Sequence, residues 1–114
     1  MSSARIAQQK RHAVPAIALA MALIASCVMA GEDPDPDELS KLVRQDCGSC
    51  HGLTLNGGLG RPLTSDRLMQ WDRDQLTQII LDGIPGTPMP SWRPLLTQAQ
   101  ARWIAEALKS GSVR

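Results

Sequence analysis

The sequence has no phenylalanine and no tyrosine, and its large aromatics are limited to Trp71, Trp92 and Trp103. A core built from it must rest on aliphatic side chains. Cysteine and histidine are nearly as scarce, with Cys27, Cys47, Cys50, His12 and His51 as the full set. Three cysteines in 114 residues exclude a disulfide-dense scaffold. Charge of one sign is also missing. Twelve Lys/Arg face eleven Asp/Glu, a formal net of +1, and no basic cluster calls for nucleic acid. Strand-like alternation and internal repeats are absent as well. The longest uncharged apolar run, Ala13 to Met29, has 17 residues and contains Pro15. That is short for a membrane span of roughly 20 residues.

That run has another use. Arg5, Lys10 and Arg11 precede it, and Val28-Met29-Ala30 closes it with a small residue before Gly31. This is the layout of a secretory signal peptide over residues 1–30. Ile24-Ala25-Ser26-Cys27 also resembles a bacterial lipobox, in which a lipidated Cys27 becomes the new N-terminus and tethers the chain to a membrane. The Val-x-Ala ending favours the ordinary cut after Ala30, and either route exports the domain. The expected mature part, Gly31 to Arg114, holds nine Lys/Arg against eleven Asp/Glu, a net of −2. Its 84 residues make a core small enough to want a staple of some kind.

Residues 31–37 are an acidic, proline-rich linker, and 38–114 the folded domain. Asp35 reads as a helix N-cap with Pro36 in the first turn and Glu38 at the capping-box position. Leu39, Leu42 and Val43 follow at helical spacing, so a first helix runs directly into Cys47. Thr54 to Thr64 is loop, and the three glycines of Asn56-Gly57-Gly58-Leu59-Gly60 allow close backbone approach or positive φ. No strand precedes them, so a dinucleotide-binding reading is weak. A short helix is expected around Asp66 to Gln70. The next helix is bordered by an Asp72/Gln75 capping box, a Trp71/Leu76 staple and a Gly83 stop, with Leu76, Ile79 and Ile80 as its apolar face. Pro85-Gly86-Thr87-Pro88-Met89-Pro90 is too proline-rich for helix or sheet. The last helix opens at Thr97 with Gln100 in the box position. Trp103, Ile104, Ala107 and Leu108 form its stripe, and Gly111 ends it. The expected class is all-α.

The chemistry lies in Cys47-Gly48-Ser49-Cys50-His51. C-x-x-C-H is the attachment motif of c-type haem: two thiols add across the two vinyl groups of one porphyrin, and the histidine reaches the iron. Rival uses of the thiols account for less. A structural zinc wants four ligands, and the mature chain has no second Cys/His pair. A thioredoxin-like pair wants a βαβ setting and an activating helix start. A plain disulfide leaves His51 unexplained. Covalent haem, one per chain, accounts for all three residues.

Haem iron has two axial positions. His51, the one histidine left after the signal is removed, fills one. Met69 and Met89 are the two mature methionines that compete for the other. Met69 follows Leu68 in an expected helix, where a core role is ordinary. Met89 lies between Pro88 and Pro90, which stiffen the backbone and aim the thioether at little entropic cost. Met89 is therefore the preferred ligand. His/Met ligation leaves no open position on the iron, and no second histidine or carboxylate pair stands near the motif. The reading is an electron carrier and not an enzyme.

With these residues in hand, Glu38 to Leu108 resembles the class I c-type cytochromes: N-terminal helix, Cys47-x-x-Cys50-His51-Gly52, Gly/Pro loop, middle helix, Met loop, C-terminal helix. The resemblance implies that the terminal helices pack together with Trp103 between them. It also implies that a proline carbonyl, matched here by Pro62, accepts the His51 ring N–H. Trp71 and Trp92 become candidates for bonding haem propionates, and Arg61 and Arg93 for neutralising them or meeting a partner. The stretches Cys47 to Leu63 and Ile80 to Trp92 are similar to the small monohaem cytochrome encoded beside cytochrome cd1 nitrite reductase in denitrifying bacteria. That likeness implies a periplasmic carrier serving this reductase. The alternatives are a factor in maturing it and its haem d1, and a haem enzyme or sensor with a labile Met ligand.

Overall fold

The computed structural model describes residues 33–113. The expected signal segment, with Cys27 and His12, lies outside them. The described chain is helices and loops, with no strand among the described residues. In order come α1 (Pro36–Leu42), a π-helical turn (Val43–Cys47), α2 (Gly48–His51), α3 (Ser65–Leu68), α4 (Arg73–Asp82) and α5 (Gln98–Ser110). The all-α expectation holds.

Local signals set most of the borders. The Asp35 carboxylate accepts the backbone N–H groups of Asp37 and Glu38 at 2.9 and 3.2 Å, and Pro36 opens the first turn. The helix thus takes in Pro36 and Asp37 of the acidic stretch. Asp72 accepts from the Gln75 amide at 2.7 Å while Gln75 Oε1 accepts from the Asp72 amide at 3.1 Å, a closed capping box. Thr97 and Gln100 repeat this at 3.2 and 2.9 Å. Gly111 ends α5 in the left-handed region at φ +68. Thr97→Ala should cost about 1 kcal/mol. That corresponds to roughly 4–8 °C of melting temperature in a domain this small. Thermal unfolding of the holoprotein checks it, and an unchanged midpoint would show the cap to be idle.

Helix α5 carries the core. Ala101, Ile104, Ala105, Ala107 and Leu108 are buried on it, and the alanines let α4 approach closely. It also packs on α3 and α1, so the terminal helices meet as the resemblance implies, with Trp103 half-buried against the core. Across α4 and α5, Arg73 pairs with Glu106 at 2.9 Å and Arg102 with Asp74 at 2.8 Å. Both pairs are exposed and contribute little beyond register. The Lys109 ammonium donates to the carbonyls of Leu68 and Trp71, satisfying the open end of α3.

Two packing expectations need correction. On α4 the fully buried residues are Thr77 and Leu81 with Leu76, while Ile79 and Ile80 are half-buried. The 76/77/81 spacing faces α5 and turns Ile79 to the flank. The Thr77 hydroxyl is tolerated there because it donates to the Arg73 carbonyl at 2.7 Å. Met69 is not core: α3 ends at Leu68, and Met69 is 76% exposed in the turn that follows.

Candidate haem site

The first helix does more than run into Cys47. Leu39 and Val43 are buried one turn apart. At 3.6 residues per turn an unbroken α-helix would continue that stripe through Asp46 and Cys50 and leave Gly48 opposite. The π turn, closed by the Gly48 N–H on the Val43 carbonyl, shifts the register by one residue. Asp46 and Cys50 are exposed, Gly48 is buried, and Cys47 and His51 are half-buried on the inner side. A π turn at a functional motif is a recurrent device. Ser49 Oγ donates to the Asp46 carbonyl at 2.6 Å within it. The signal for this turn was present in the sequence: a charged residue, Asp46, on the apolar stripe.

Cys47 and Cys50 form no disulfide with each other; Cys50 is exposed and Cys47 half-buried. Burial first, and the neighbouring Asp46 charge second, push the Cys47 thiol up to about 11.

Around His51 the loop closes as a cap. The Gly60 N–H donates to the Cys50 carbonyl and the Gly57 N–H to the His51 carbonyl, each at 2.7 Å, so glycine amides satisfy the end of α2. Gly52 turns the chain at φ +89, and a Cβ there would lie 2.5 Å from the Gly57 carbonyl oxygen. A Cβ on Gly60 would lie 2.8 Å from Cε1 and Nδ1 of His51, so that residue lies against the ring.

The ring itself is held by Arg61, not by Pro62 as the resemblance implied. Its Nδ1 sits 2.6 Å from the Arg61 carbonyl oxygen. With Nδ1–H donating there, Nε2 keeps its lone pair for a metal, and the bond fixes the ring. Pro62 acts one step away. A residue before proline is confined to extended backbone, which aims the Arg61 carbonyl.

Met89 is half-buried on the α4–α5 connection, a different segment from the other three residues. Its carbonyl accepts from the Ile84 N–H at 3.2 Å, and its own N–H donates to Thr87 Oγ1 at 3.3 Å. Beneath it, Gly83 has no room for a Cβ, which would stand 2.6 Å from Met89 O. Arg93 is paired with Asp82 at 2.6 Å and with Gln78 at 3.3 Å, so its charge is already engaged. Trp92 is half-buried against the core and Trp71 is 39% exposed.

This arrangement fits a covalent haem. It offers two thiols three residues apart and a histidine with one ring nitrogen anchored and the other free. Leu53 and Leu59, on the loop that closes over His51, are exposed to 76% and 94%.

The family described as cytochrome c oxidase, cbb3-type, subunit III matches residues 34–106. Cytochrome c55X of Paracoccus denitrificans (strain Pd 1222) is 57% identical over 95 residues, covering 81% of this chain and 91% of that protein. The chain belongs to the cytochrome c55X family of c-type cytochromes. The solved structure of the c-type cytochrome NirC matches 70% of this chain and 98% of its own, at 44% identity and a TM-score of 0.68. Dihydro-heme d1 dehydrogenase NirN in complex with DHE matches 66% of this chain but 16% of its own, at 33% identity and a TM-score of 0.59. As in c-type cytochromes at large, the cofactor of the c55X family is a covalently bound haem c, and Cys47, Cys50 and His51 form its C-x-x-C-H site. No helix among the described residues is long and apolar enough to cross a membrane.

Proposed function

We propose that the protein is a periplasmic electron carrier of denitrification whose haem, attached through Cys47 and Cys50, is ligated by His51 and Met89 and which delivers electrons to cytochrome cd1 nitrite reductase. The observation that supports this reading is the His51 ring anchored at Nδ1, with a thioether available on a separate, proline-stiffened loop. The haem supplies the one-electron couple. Around it, His51 presents Nε2 as a basic ligand, and Met89 presents a neutral sulfur that favours the ferrous state. Both come from backbone tied by hydrogen bonds, so little has to move when the charge changes. Residues 1–30 would direct export and be lost. The mass of the mature protein reports this, separating a start at Gly31 from one at a lipidated Cys27.

A second reading, maturation of the reductase and its haem d1, draws on the likeness to dihydro-heme d1 dehydrogenase, a much longer chain of which this one resembles a small part. Deleting the gene separates the two. Reductase with its full haem content but slow electron delivery fits the carrier. Reductase lacking haem d1 fits maturation and would overturn the carrier reading.

A further inference from the structure

The geometry points to Thr87 as a positioning residue that holds Met89 in place as an iron ligand, an inference that rests on the Met89 reading above. The α4–α5 connection is clamped where it returns to α4. Ser91 Oγ and the N–H groups of Trp92 and Arg93 all donate to the Leu81 carbonyl, at 2.6, 3.1 and 3.2 Å. Within the clamp, hydrogen-bond donors are scarce, because Pro85, Pro88 and Pro90 have no N–H. Thr87 makes up the shortage. Its N–H and its hydroxyl both donate to the Ile84 carbonyl, at 3.1 and 2.7 Å, and the same hydroxyl oxygen accepts the Met89 N–H at 3.3 Å. The hydroxyl therefore joins the first turn of the loop to Met89. No other group of that side chain can do both, since only an O–H donates and accepts at once. Flanking prolines restrict Met89, but they do not tie it to anything.

The test is displacement of Met89 from the oxidised holoprotein by imidazole, followed at the far-red sulfur–iron band. Thr87→Val keeps the β-branched shape and removes the hydroxyl. It should lower the imidazole concentration at half-displacement by about three- to tenfold, the effect of two exposed hydrogen bonds. Thr87→Ser should behave as the parent does. In a Met89→Ala background, where that band is absent and imidazole binding is followed at the Soret band, Thr87→Val should leave imidazole affinity unchanged, because there is no thioether to hold. Thr87→Ala serves in the same comparisons if the valine variant does not fold. Equal midpoints for parent and Thr87→Val would overturn the inference. So would a serine variant as weak as valine, or an effect that persists without Met89. A parent protein whose band survives Met89→Ala overturns the ligand reading and this inference together, and that control is read first.

Discussion

Met89→Ala should abolish the far-red sulfur–iron band of the oxidised protein, and Met69→Ala should leave it intact. The contrast follows from where the two thioethers sit. Met69 is 76% exposed in the turn after α3, with no proline beside it. Met89 is half-buried, flanked by Pro88 and Pro90, and both of its backbone polar groups are bonded inside its own loop. Removing a neutral sulfur ligand would also remove its preference for ferrous iron, so the potential should fall. A tenfold difference in ligand affinity between the two oxidation states moves a one-electron couple by about 59 mV. A fall on the order of 100 mV is therefore expected. Near-infrared absorbance and equilibrium redox titration of the holoprotein measure the two effects. A band lost with Met69 and kept without Met89 would reverse the assignment.

Gly83→Ala should be strongly destabilising. Gly83 stands at φ +70, ψ −168, a region that glycine alone occupies readily. Strain there costs about 1–3 kcal/mol before any clash. A Cβ would also meet Met89 O at 2.6 Å and Pro90 O at 2.8 Å, backbone atoms that cannot rotate away. The loop must therefore lift off the end of α4. A loss of about 3 kcal/mol is a large share of the stability of so small a domain. Because the displaced atoms belong to Met89, the sulfur–iron band should weaken well below the unfolding temperature. Gly86→Ala is the comparison, at φ +78 but with open space around its Cβ. It should show the backbone cost without the loss of the band. If both variants behaved alike, contact with Met89 would not be what Gly83 provides.

Electron transfer in the proposed role asks for a site that does not rearrange, and the chain meets that demand with backbone more than with bulk. Glycine amides end the haem helix, a carbonyl holds the histidine, and a threonine hydroxyl ties the Met loop. These devices suit a domain with no Phe or Tyr. Where large side chains are few, close backbone contact replaces them in fixing a ligand's direction.

Much of this was legible beforehand, and the exceptions have a common cause. The caps at Asp35, Asp72 and Thr97 and the stops at Gly83 and Gly111 were readable because each acts within four residues of its partner. The C-x-x-C-H motif was readable for the same reason, since thioether attachment needs only two thiols one turn apart. Thr77 and Leu81 were missed because burial on α4 is decided by α5, which follows it by some twenty positions. The π turn was missed because a strictly 3.6-residue reading hides a one-residue slip, although Asp46 on the apolar stripe marked it.

By itself, then, the sequence determined the covalent cofactor and most of the helix borders, and it narrowed the axial candidates to one histidine and two methionines. Those are matters of local bonding and of what residues exist at all. Only the tertiary structure decided that the carbonyl on His51 is that of Arg61, that Cys47 and His51 turn inward while Cys50 stays out, and that Met69 is surface. Each of these depends on where a backbone segment is carried by packing elsewhere in the chain, and a carbonyl's direction leaves no mark in the residue that bears it.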